Sequence, residues 1–315
     1  MIRHRFLKLV VFLSCILSFA FGGQAQTLKV AGWNLESGDS ATQTLTARVR
    51  TFQGVDIWGF SELQNQAVLN QMTVAAADGE TGSFRSILGS TGGNDRLAIV
   101  YNSTRLRLIS SEELDDINVS GTVRAPLVAL FRDATSGKEF FFMVNHLYRG
   151  SAEGRHEQSR LLNLWAAGQD RAVIAVGDYN YDVNANNPSS RDEGFDLLTE
   201  DNVFTWARPA NLVRTQCSFN SVLDFVFTAG EAKNWRFESL IDARTNDCPD
   251  DANKSDHRPI STTFTMSSVN PSPNINTITQ PQPNTRNTRN TREMLERIRA
   301  LERELKELRE LIERP

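Results

Sequence analysis

The sequence predicts an α/β protein in which packed sheets carry helices on their outer faces. Three observations predict it. Short apolar runs rich in Val, Ile and Phe, each bounded by Gly, Asn or Asp, recur between residues 28 and 266 and read as strands. Helical patterns separate some of these runs, so strands alternate with helices. Other strands are joined by short turns, such as Ala134-Thr-Ser-Gly137, so antiparallel pairs stand beside helix-crossed ones. With 315 residues, 40% hydrophobic and 23% charged, the chain has globular composition and length for a sizeable core.

At the N-terminus, Arg3, His4, Arg5 and Lys8 form a basic region, and Leu9 to Phe21 is an apolar run of 13 residues. Gly23-Gln24-Ala25 then places small residues at −3 and −1 of a cleavage site. Residues 1–25 therefore read as a secretory signal peptide, short for a membrane span. The alternative is an uncleaved anchor. A secreted or periplasmic protein is expected, with no stable membrane insertion after cleavage. Of the three cysteines, Cys15 leaves with this segment, and the remaining pair, Cys217 and Cys248, reads as a disulfide in an exported chain. Such a bond closes a loop of about thirty residues, worth roughly 3–4 kcal/mol on the chain-entropy estimate. The alternative is two separate buried thiols.

Residues 26–266 form the expected folded domain. Its predicted strands are 28–33, 55–60, 96–101, 127–131, 140–145, 172–176, 222–227 and 260–264, and its predicted helices are 41–52, 65–76, 156–167 and 191–199. In the third helix Leu161, Leu162 and Trp165 recur on one face. Residues 267–290 are Ser, Asn, Pro, Thr and Gln, ending in three Asn-Thr-Arg repeats, a disordered-linker composition.

From residue 291 to 315, Ile298, Leu305 and Ile312 fall at heptad position a, and Met294, Leu301 and Leu308 at d. Across a parallel pair, Arg297 would face Glu302 and Glu304 would face Arg309. This is a short coiled coil, and self-association through it is expected. The alternative is a single amphipathic helix packed on the body. The chain's net charge is −4. The signal segment carries +3 and residues 284–315, with nine Lys/Arg against seven Glu, carry +2, so residues 26–283 carry −9. An acidic body argues against tight salt-driven binding of nucleic acid, but not against an enzyme that meets phosphate through cations.

Five segments put polar residues at or beside the ends of apolar strands: Gly32-Trp-Asn34, Ser61-Glu62-Leu63, Asn145-His146-Leu147, Gly177-Asp178-Tyr-Asn180 and Ser255-Asp256-His257. A sixth, Leu223-Asp224-Phe225, sets a carboxylate inside an apolar strand, where it needs a partner. Several common sites are not signalled. Asp178-x-Asn180-x-Asp182 has Val183 where a calcium loop needs Gly, and His156-Glu157 lacks a second His at residue 160. There is no Gly-x-Ser-x-Gly and no Gly-Lys-Ser phosphate loop.

Taken together and in this order, the segments resemble the endonuclease/exonuclease/phosphatase superfamily, and the resemblance covers residues 27–266. It implies a four-layer α/β sandwich and hydrolysis of a phosphodiester assisted by a divalent metal. Asn34, Glu62 and Asp256 are the implied metal residues, and Mg²⁺ or Mn²⁺ suits these hard oxygen donors, with Ca²⁺ a further candidate. His257 stands where the family has its catalytic histidine and Asp224 where it has that histidine's carboxylate partner. Asp178 and Asn180 would orient water or stabilise the transition state, and His146 would join the catalytic group.

Asn-His-Leu at residue 146 resembles the deoxyribonuclease, sphingomyelinase and deadenylase branches, with Asp95 near the place of a carboxylate partner. Arg149, Arg155 and Arg160 are candidates to meet a phosphate backbone, the alternative being a solvated helix face. The expectation is a secreted nuclease acting on nucleic acid. The alternatives are a lipid phosphodiesterase or phosphatase of the same fold, or a catalytically silent binding module.

Overall fold

A computed structural model describes residues 26–266 apart from Thr122. The expected signal peptide (1–25), linker (267–290) and coiled coil (291–315) lie outside the described residues. Among the described residues no helix is long and apolar enough to cross a membrane.

Along the chain run β1 (Gln26–Asn34), α1 (Thr42–Val49), β2 (Ile57–Leu63), α2 (Gln66–Ala77), β3 (Phe84–Leu88), β4 (Arg96–Asn102), β5 (Leu106–Glu113), β6 (Leu127–Asp133) and β7 (Glu139–His146). There follow α3 (Ala152–Ala167), β8 (Ala172–Asn184), α4 (Glu193–Thr199), β9 (Phe204–Trp206), β10 (Ser221–Ala229), β11 (Arg236–Ile241) and β12 (Ile260–Met266). The strands form two six-stranded sheets, ordered β11-β12-β1-β2-β4-β3 and β5-β6-β7-β8-β10-β9.

Each sheet contains the same β-α-β-α-β-β unit. In the first, β1 and β2 are parallel and crossed by α1; in the second, β7 and β8 are parallel and crossed by α3. Both units close with an antiparallel hairpin inserted in the order 1-2-4-3, and both take a further antiparallel hairpin on the other side. The repeat puts the carboxyl ends of two parallel pairs, one per sheet, in equivalent positions.

Three cores fill the spaces between four layers. The central one joins the inner faces of the sheets through Val30, Ile57, Ile99, Val144, Ile174 and Val176. The outer two bury Leu45, Leu69 and Met72 of α1 and α2 against the first sheet, and Leu162, Phe195 and Leu198 of α3 and α4 against the second. Burying such side chains contributes about 1.5–3 kcal/mol each. Three helices begin on side-chain caps: Asn65 accepts from Ala67 and Val68, Ser151 from Gly154, and Asp192 from Gly194.

Gly59 packs directly against the facing sheet. A Cβ there would come within 2.4 Å of Val176 and 2.8 Å of Val144 in the facing sheet.

All eight predicted strands are present, and they are the eight interior strands of the two sheets. The four that the sequence reading omits, β3, β5, β9 and β11, are the four sheet edges. Edge strands are half solvated: β5 keeps one of its eight residues buried, and β11 two of six. Without a continuous apolar run or clean alternation they carry little signal. The turn at residues 134–137 is present between β6 and β7, with Gly137 at φ 70.

Candidate active site

The site lies at the carboxyl ends of the two parallel pairs, where open α/β sheets present their loops. Asn34 ends β1 and pairs in register with Ser61, so Glu62 follows directly beside it. Glu62 has φ 54 and sits at the irregularity between Phe60 and Leu63, which turns its carboxyl away from the regular pleat. In the other sheet His146 ends β7 opposite Asp178 of β8. The chain bends sharply here: Gly177 has φ 137, and a Cβ on it would lie 1.9 Å from the Asn145 carbonyl oxygen. Asp224 comes from β10 at a bulge opposite Asp178, and Asp256-His257 come from the loop before β12.

All eight predicted site residues converge. The amide nitrogen of Asn34 donates to Glu62 Oε1 at 2.8 Å and to Asp178 Oδ2 at 3.1 Å. The backbone N–H of Asn180 donates to Asp178 Oδ1 at 2.9 Å. His257 Nδ1 meets Asp224 Oδ2 at 2.7 Å, while its Nε2 faces Asp256 Oδ1 at 3.6 Å and Asp178 Oδ2 at 3.7 Å. His146 Nε2 stands 3.6 Å from both Glu62 Oε1 and Asp178 Oδ2. The loop carrying His257 is anchored to β1, since Ser255 Oγ donates to the Asn34 carbonyl and Trp33 Nε1 to that of His257.

The two histidines differ in charge preference. Burial works against charge on both. At His257 the charge and hydrogen bond of Asp224, with Asp178 and Asp256 beyond, overcome it and raise the imidazole to about 10. His146 has no such bond. Burial, reinforced by Arg124, His257 and Arg149, pushes it well below 6.5 and leaves it neutral. Burial also raises the Asp178 carboxyl, opposed by His257 and reinforced by Asp224 and Glu62. The site therefore pairs a cationic imidazole with a carboxyl inclined to take a proton.

Its donors fit a hard divalent cation. Glu62, Asp178, Asp224 and Asp256 supply carboxylate oxygens, and Asp224 Oδ1 is buried with no hydrogen-bond partner. The ligand atoms form three tight groups, each within 4.8 Å: Glu62 with Asp95 and His146, Asp178 with Asp224 and His257, and Asp256 with Glu36 and Asp250. Glu36 is missing from the sequence reading. It lies two residues after Asn34, with φ 47, and its Oε2 accepts the Asp256 N–H at 3.0 Å. Burial and the nearby charges of Asp256, Asp250 and Glu62 raise its carboxyl to about 7, against the Asp256 N–H bond that lowers it. Nothing in the sequence pattern marks it, because it sits in a loop without periodicity.

Two expectations are corrected. Arg155 borders the site, but its guanidinium is committed: it is buried and bonded to both carboxylate oxygens of Asp192 and to the Tyr148 carbonyl. Arg160 is tied to Glu157 on an exposed face. Arg149 lies beside the site, over the ring of Phe219 in a 190 Å³ pocket that Arg155 and Asn180 also line. Asp95 is bonded by Arg124, and His146 Nδ1 remains 3.8 Å from it, beyond hydrogen-bond length.

The family model described as "Endonuclease/Exonuclease/phosphatase family" matches residues 31–257. A search of curated proteins finds no match. Solved structures share the fold. A mannosyl-6-phosphatase of Bacteroides thetaiotaomicron is 19% identical with a TM-score of 0.57, over 76% of this chain and 100% of that one. D. rerio TDP2 complexed with a single strand DNA product is 17% identical with a TM-score of 0.57, over 76% and 100%. The human Nocturnin catalytic domain is 15% identical with a TM-score of 0.54, over 76% and 95%.

Proposed function

The chain belongs to the endonuclease/exonuclease/phosphatase family, and we propose that it is an exported, divalent-metal-dependent phosphodiester hydrolase acting on nucleic acid. One observation carries the reading. The buried Asp224–His257 pair, 2.7 Å apart, holds Nε2 3.7 Å from Asp178, which Asn34 links to Glu62. An unpartnered ion pair in such a place would be costly, and a phosphoryl group with its cation uses all of these groups.

Glu62, Asn34 and Asp256 would hold Mg²⁺ or Mn²⁺, which when bound stabilises charge on phosphoryl oxygens as a Lewis acid. His257 presents a protonated Nε2 to the developing negative charge, its orientation fixed by Asp224 through Nδ1. Asp178, raised by burial, accepts a proton from the attacking water, while the Asn180 N–H keeps its other oxygen in place. Neutral His146 offers Nε2 as a neighbouring contact to a phosphoryl oxygen.

The structures of similar fold include TDP2 with a DNA product and a sugar-phosphate phosphatase. The nucleic-acid reading is favoured by Arg149 and exposed Phe219, a cation and an aromatic face beside Asn180. Supercoiled DNA, RNA, sphingomyelin and a phosphomonoester, each assayed with Mg²⁺ and with chelator, test it. Cleavage of a nucleic acid with Mg²⁺ is expected. Turnover of sphingomyelin or the monoester alone would reassign the substrate.

A further inference from the structure

Thr215, Gln216 and Cys217 are buried but lie outside the set described above. Their contacts reach three members of it. Thr215 Oγ1 accepts the backbone N–H groups of Leu223 and Asp224 at 2.9 and 3.2 Å, filling the bulge that presents Asp224. The Cys217 N–H donates to the Asp256 carbonyl at 2.9 Å, and Gln216 forms an isolated bridge with His257.

The Gln216 side chain is committed at both ends. Its Oε1 accepts the N–H groups of Ser218 and Phe219 at 2.7 and 2.8 Å, which fixes the amide's orientation. Nε2 therefore points inward and donates to Asp256 Oδ2 at 2.5 Å. Asp256 Oδ1 is left facing the site, 3.6 Å from His257 Nε2. The next residue, Cys217, is bonded to Cys248 of the loop that leads into Asp250 and Asp256.

We propose that Gln216 is a positioning residue that occupies one oxygen of Asp256 and so presents the other to a divalent cation, with the Cys217–Cys248 bond holding the segment from which it acts. The inference rests on the reading of Asp256 as a metal-side carboxylate. A neutral amide suits this task. It orients the carboxylate without cancelling the charge that attracts the ion, as a lysine would. Partners of this kind typically change metal affinity about 10–100-fold when removed.

The test measures Mn²⁺ binding to the full-length protein by electron paramagnetic resonance of the free ion, alongside turnover across a Mg²⁺ titration. The variants are Gln216→Met, close in size without the donor, Gln216→Ala, Cys217→Ser with Cys248→Ser, and the combination of Gln216→Met with the two serines. Near-ultraviolet circular dichroism selects natively packed variants. Mn²⁺ binding should weaken about 10–100-fold in Gln216→Met, with turnover at saturating metal close to wild type. The serine pair should weaken binding in the same direction, and the combination should be less than additive. Wild-type Mn²⁺ affinity in a natively packed Gln216 variant, or lost turnover at unchanged affinity, overturns the inference alone when Glu62→Ala abolishes binding. A wild-type protein that binds no Mn²⁺ overturns the metal reading and the inference with it.

Discussion

Replacing Asp224 by Asn separates the charge of the His257 partner from its shape. The Asn oxygen can still accept from Nδ1, so the ring can keep its place while the carboxylate charge is lost. In the wild-type protein the imidazole rises from 6.5 to about 10 against the opposing effect of burial. At about 1.4 kcal/mol per pH unit, that is on the order of 5 kcal/mol of preference for the charged ring. Without Asp224 the largest favourable contributions go and burial remains, so the ring should titrate near or below 6.5.

Imidazole resonances followed by NMR in metal-free protein read this directly. Wild-type His257 should stay charged through pH 8, and the Asp224→Asn ring should not. The sign for stability follows. A raised histidine stabilises fully below its unfolded value near 6.5 and loses that contribution as pH climbs through about 10. The variant's melting deficit should therefore be largest at pH 6 and shrink as pH rises toward 10. Turnover should fall about 10²–10⁴-fold, the usual contribution of one acid–base group. A wild-type ring that titrates near 6.5, or a variant with full turnover, would refute the reasoning.

His257→Ala should cost at least about tenfold more turnover than His146→Ala, because only His257 has a bonded carboxylate to orient it and hold its charge; equal losses in steady-state rates would point to a symmetric two-histidine mechanism. The Asp224→Asn/His257→Ala double variant should be far from additive, since the pair acts as a unit. Gly177→Ala should lose about 3 kcal/mol or more in urea denaturation, because φ 137 is strained for any Cβ and that atom would overlap the Asn145 carbonyl. Truncation after Met266 should yield a monomer by sedimentation, with near-normal turnover of a small substrate, whereas the full-length chain should self-associate.

What the sequence made legible follows from burial. A polar residue at the end of an apolar strand stands out against its neighbours, so Asn34, Glu62, His146 and Asp178 were singled out, and the resemblance of the ordered set supplied their expected roles. Asp224 was conspicuous inside an apolar run. Glu36 and Gln216 were not legible, because they sit in loops without periodicity and act through contacts with residues 220 and 40 positions away. Edge strands were missed for a related reason: half-solvated segments lack the alternation that one buried face imposes. The commitment of Arg155 was not legible because its partner Asp192 lies 37 residues on, and the cap on α4 that joins them is a tertiary feature.

The central claim is that the converged site hydrolyses phosphodiesters with a divalent cation held at Glu62. The most direct measurement is turnover of DNA and RNA by the full-length wild-type protein and Glu62→Ala across a Mg²⁺ titration, with a chelator control and metal re-addition. Activity should rise with Mg²⁺, vanish with chelator, return when the ion is restored, and be lost in Glu62→Ala. Full activity in excess chelator, or a wild-type titration curve from Glu62→Ala, would contradict it.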